Sequence, residues 1–155
     1  MAKAIDTPGV FATTPLNQCA RRIILACMVE MMSFKSGSID GEDIEFVHDI
    51  RVASRRLRAA MQNFAACFAK DEFRKHLARV ESITRTVGAV RDLDVLIERF
   101  EADVRTLGEG EQGGVLRLLQ DLRDRRDEAR QPMLALFGKL ERKRFEAKFS
   151  RFFEA

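Results

Sequence analysis

With 155 residues, 46% of them hydrophobic and 33% charged, the chain is long enough for one domain with a core of its own. Three cysteines without CxxC spacing read as reduced thiols rather than a disulfide or zinc framework, and the longest apolar run, 23–29, is too short to cross a bilayer. The net charge of +3 singles out no partner, and Asp6, Pro8 and Gly9 stand where a signal peptide would need an apolar run, so a cytoplasmic protein is expected.

Strand signals are nearly absent, because there is no Tyr or Trp and no sustained alternation, while Leu, Ala, Arg, Glu and Met dominate. Residues 1–13 read as a flexible N-terminal arm, and 14–155 as one helical unit. Thr14 followed by Pro15 marks a helix start, with Thr14 as N-cap, and the first helix runs over 15–35 and ends before Ser36-Gly37-Ser38. Asp40, Glu42 and Asp43 suit the positive end of a second helix over 41–69. Asp71 is the expected cap of a third helix over 72–106, and "LGEGEQGG" (107–114) is a loop. A fourth helix over 115–153 should kink or split at Pro132. Four long helices with short connections predict an all-α fold, an antiparallel up-down four-helix bundle.

Charge is segregated along this frame. Residues 48–91 carry ten Lys/Arg against four Asp/Glu, and residues 115–151 carry eleven against six. The stretch 36–47 has four acids and no base, and 92–114 has seven acids against two bases.

The stretch "HDIRVASRRLR" (48–58) is the most informative. At about 100° per residue, Phe46, Ile50, Ala53, Leu57, Ala60, Met61, Phe64 and Phe68 gather on one side as a core face. His48, Arg51, Arg55 and Arg58 fall within roughly 80° of one another on another side, and Arg56 lies off that stripe. A solvated charged face usually mixes Glu with Lys in i,i+4 pairs, but this stripe contains no acid. Its repulsion needs an anion to offset it, and the guanidinium fork suits phosphate oxygens. In the fourth helix Arg126 falls within the apolar stripe Val115, Leu119, Leu122, Ala129, Met133, Leu136, Leu140, and Arg130 sits at its edge. A guanidinium facing a core must be paired or wet. Either an acid such as Asp92 or Asp94 meets it, or the bundle opens there onto an anion site.

Together, "FVHDIRVASRRLRAAMQNF" (46–64) and "VGAVRDLDVLIERF" (87–100) resemble the CHAD domain, the conserved histidine α-helical domain. The two motifs occur in the family's order and at about its spacing, with Val87 in place of the usual leucine. The resemblance implies a helical domain that binds inorganic polyphosphate through basic residues and associates with polyphosphate granules. Carried over by position, His48, Arg51, Arg55 and Arg58 would be polyphosphate contacts, with Arg56 as a helper. Arg91 would be a contact or its organiser, and Asp92 and Asp94 would orient arginines. Arg126 and Arg130 join the candidate polyphosphate-binding residues from the face argument alone. Family members usually carry two four-helix units in tandem, whereas this chain has length for one. Either half the site is absent or a second copy of the chain supplies it as a homodimer.

Three other classes fit these residues less well. His48 and His76 are the only histidines, neither has a second ligand at i+3 or i+4, and arginine neighbours would repel a cation, so no metal is expected. A nucleic-acid phosphate-backbone module is the alternative, disfavoured because stacking Tyr and Trp are missing. For an enzyme, "GEGEQG" (108–113) has the letters of GxGxxG, but it is acidic and no strand precedes it; Ser54 and Cys67 have no evident base. The reading is a non-enzymatic polyanion-binding protein that needs no cofactor.

Overall fold

The computed structural model describes residues 7–108 and 110–155. Among them are helices α1 (Leu16–Ser33), α2 (Lys35–Asp40), α3 (Glu45–Asn63), α4 (Lys70–Val104), α5 (Gln112–Arg142) and α6 (Phe145–Glu154), a 3₁₀ turn at Ala65–Cys67, and no strand. The fold is all-α. Residues 1–6 of the expected arm lie outside the described residues, and 7–15 are turns and extended chain.

Apolar residues at helical spacing build the core. Ile24, Met28 and Met31 of α1 meet Val47, Ile50, Ala53, Leu57 and Met61 of α3 and Val80, Ile83, Val87 and Val90 of α4. Met133 and Phe137 of α5 and Phe145, Phe149 and Phe153 of α6 complete the cluster. Each Val, Leu, Ile, Met or Phe side chain among them contributes roughly 1.5–3 kcal/mol when fully buried. The core face of α3 is rotated slightly from the expected one: Val47 is fully buried, while Phe46 is 38% exposed. Phe46 instead lies over Gly37 of α2, where any Cβ would overlap its ring. Phe68 joins Phe73, Phe152 and Phe153 in an aromatic cluster.

Several helix ends differ from expectation. Ser36-Gly37-Ser38 does not break the chain but forms α2, which closes on Gly41 in the left-handed region (φ 76°). Its buried Ser38 donates its hydroxyl to the Phe34 carbonyl at 2.8 Å. The expected helix over 41–69 is therefore shorter at both ends, starting where Asp43 Oδ1 accepts the Glu45 amide at 2.9 Å. Thr14 accepts the Phe11 amide rather than capping α1, whose N-cap is Pro15. Asp71 lies in the first turn of α4 and makes no cap, because that helix begins one residue earlier. Pro132 does not split α5, since one missing N–H is a local loss within a 31-residue helix. The break comes at Arg144, held in the left-handed region at φ 53°.

Candidate polyanion-binding cleft

Helical spacing puts Arg51, Arg55 and Arg58 on the side of α3 that meets α4, away from the buried Ile50, Leu57 and Met61. The facing stretch of α4 contributes Thr84, Arg85, Gly88, Ala89 and Asp92. The small residues at 88 and 89 keep this wall low, and the eight residues enclose an open cleft of about 500 Å³. Arg51 Nη2 stands 3.4 Å from Asp92 Oδ1. Among the described residues, Arg55, Arg58 and Arg85 have no carboxylate within ion-pair distance. Four guanidinium groups thus share one opening with a single counter-charge, a field that draws in anions. Arg85 was not among the residues singled out from sequence. Its signal was its place seven residues before Asp92, two turns along the same face of α4.

The other candidates lie elsewhere. His48 is partly exposed one turn before Arg51 and does not line the cleft. Arg56 turns to α1 and pairs with Glu30, which is only 3% exposed. Burial first, and then the Glu30 carboxylate, push the nearby Cys27 thiol up, against the opposing pull of Arg56. Cys27 is therefore a protonated, unreactive thiol.

Arg91 is mostly buried and lies 3.5 Å from Glu98, with its Nη1 sealed from solvent and without a hydrogen-bond partner. Arg126 pairs with the buried Asp94, so an acid meets the guanidinium on the core stripe of α5. Each partner keeps one buried atom unbonded, Asp94 Oδ2 and Arg126 Nη2. Arg130 donates to the carbonyls of Ser38 (3.3 Å) and Ile39 (2.8 Å), tying α5 to the last turn of α2. A side chain on Gly41 would collide with that guanidinium. The structure thus brings Arg51, Arg55, Arg58 and Asp92 together and sets Arg56, Arg126 and Arg130 into the contacts that hold helices to one another.

Among the described residues, no group of three His, Cys, Asp or Glu side chains stands close enough to hold a metal ion, and no helix is long and apolar enough to cross a membrane. No curated protein and no solved structure matches the chain. The sequence model of the CHAD domain matches residues 22–155, which include α3, α4 and every residue of the cleft. With nearly its whole length matched, the chain belongs to the CHAD domain family.

Proposed function

We propose that the α3–α4 cleft binds inorganic polyphosphate, the ligand with which CHAD domains are generally associated. The observation that carries this reading is the convergence of Arg51, Arg55, Arg58 and Arg85 on one open cleft whose only acid is Asp92. A flexible chain of phosphates can follow such a row, exchanging water for charge-assisted hydrogen bonds at each guanidinium. An open cleft also suits a long ligand, which passes through rather than being enclosed. Thr84 adds one hydroxyl to the same wall. In this reading His48, one turn along α3, extends the row for a strand that leaves the cleft in that direction.

The frame behind the reading is an up-down arrangement of α1, α3, α4 and α5. Its support is the order of the cross-helix pairs: Glu30 with Arg56, Arg51 with Asp92, and Asp94 with Arg126. The protein acts by binding rather than by catalysis. It travels with polyphosphate granules, and a second copy facing the same strand completes a groove that one unit leaves open.

Titration with long-chain polyphosphate, single-stranded DNA and ATP at matched salt tests the reading. Polyphosphate should bind far more tightly than the other two. Equal affinity for single-stranded DNA would favour a nucleic-acid module instead, and salt dependence alone would not separate the two polyanions.

A further inference from the structure

Helix α4 has a second basic stretch, on its other side. At about 100° per residue, Glu72, Lys75, His76 and Arg79 gather on one face, while Thr84, Arg85, Gly88, Ala89 and Asp92 of the cleft gather on roughly the opposite one. Helix α6 packs beside the first group and adds Lys148 and Arg151, one turn apart. With Phe152 and Ala155 these residues line an open pocket of about 550 Å³. Its one acidic side chain, Glu72, is already paired with Lys75. Among the described residues, Arg79, Lys148 and Arg151 have no carboxylate within ion-pair distance, and Glu146 of the same helix as Lys148 and Arg151 reaches Lys35, at 3.8 Å.

The wall of this pocket contains a polar group where a hydrocarbon would serve packing better. His76 is 3% exposed, and its ring lies 5.1–6.5 Å from those of Phe145, Phe149, Phe152 and Phe153. Its Nδ1 is sealed from solvent and has no hydrogen-bond partner. A buried ring nitrogen left unbonded is destabilising, and leucine or phenylalanine would fill the same space without that cost. Burial first, and then Arg79, hold the imidazole below its usual proton affinity, with Glu72 opposing. A negative charge settling among Lys75, Arg79, Lys148 and Arg151 would reverse that balance and favour the imidazolium.

We infer that the pocket between α4 and α6 is a second anion site, taking a compact phosphate-bearing anion independently of the α3–α4 cleft. The two sites lie on opposite faces of one helix, so a short straight anion fills one of them and not both. Where the cleft holds polyphosphate, as proposed above, the second site lets one protein bridge two strands or two bends of one strand. Protein and polyanion then condense together, rather than the protein simply coating the chain.

Isothermal titration of the full chain with inorganic tripolyphosphate tests this, with the His76 ring followed by NMR. The wild type should bind two per chain, with the His76 resonances moving as one of the sites fills. Lys148→Glu/Arg151→Glu changes two exposed residues off the core, and should leave one site and a still His76 ring. Affinity at the altered site should fall by at least about tenfold. Arg51→Glu/Arg55→Glu should instead leave the site that moves His76. If Lys148→Glu/Arg151→Glu, confirmed folded by circular dichroism, retains two sites and the moving ring, the inference is overturned. It is equally overturned if the cleft variant binds none. A wild type with one site, lost only on changing Lys148 and Arg151, would sink the reading of the cleft and uphold this one.

Discussion

Arg51 of α3 and Asp92 of α4 meet at 3.4 Å across the cleft, with side chains 32% and 70% exposed. A pair this exposed contributes about 0–1 kcal/mol to stability, so Asp92 affects the cleft mainly through its charge. Asp92→Asn should leave the melting temperature nearly unchanged and tighten polyphosphate binding by about two- to fivefold at low salt. Weaker binding in the variant would mean that Asp92 holds Arg51 in its binding geometry rather than competing with the ligand.

Arg51 and Arg55 lie off the buried face of α3, so reversing both changes the ligand's surroundings without touching the core. Each charge-assisted contact is worth roughly 1.5–3 kcal/mol. Arg51→Glu/Arg55→Glu should abolish measurable polyphosphate binding while the helical circular dichroism stays the same. Unchanged affinity in the folded variant would place the site elsewhere.

Arg56 carries its charge for the fold. Its partner Glu30 is 3% exposed, and Glu30 Oε2 has no hydrogen-bond partner, so the pairing is what neutralises a buried carboxylate. Arg56→Met should destabilise the protein by about 2–3 kcal/mol, less than a fully buried pair because Arg56 is itself 30% exposed. The double variant Glu30→Gln/Arg56→Met should recover part of the loss, and denaturant melts of the four proteins measure that coupling. Simple additivity would show that the pairing contributes nothing.

Stability should fall with acid through His76. Its folded-state proton affinity is lowered, chiefly by burial, so below the ordinary imidazole pKa of about 6.5 the unfolded chain takes up the proton more readily. The sign is a stabilisation that is complete at neutral pH and declines as pH drops below about 6.5 towards the folded value. Melting temperatures between pH 7.5 and 5 should slope downward in the wild type and flatten in His76→Phe, which keeps the aromatic packing. An equal slope in both would assign the loss to other groups.

The cleft was half legible in the sequence. Arg51, Arg55 and Arg58 share a face because of their spacing on one helix, and spacing is written in the chain. Arg85 belongs to a different helix, and only packing brings the two together. The choice of partners was equally hidden: Glu30 takes Arg56, and two carbonyls of α2 take Arg130. Helix α2 itself was misread because Ser36-Gly37-Ser38 has the composition of a loop. Gly37 is there because the Phe46 ring leaves no room for a side chain, a tertiary reason that composition does not reveal. The all-α class, by contrast, followed from helix-forming residues repeated at helical period over most of the chain.

Most helix contacts in this molecule join elements close along the chain: α1 with α3 across the short α2, α3 with α4, α4 with α5. The longest return is made by α6, which comes back to α1, where Arg21 donates to the Phe153 carbonyl at 3.0 Å across 132 residues of sequence. Topology of this kind assembles its local pairs early and closes its longest loop last, when the entropy of that closure can be met by a surface already formed. We expect α6 to be the last helix to dock during folding and the first to leave during opening, so native-state hydrogen exchange should find its amides less protected than those of α3. Its departure would uncover Phe68, Phe73 and His76 together, so such an opened state would present a sticky aromatic face while the arginine cleft stays intact.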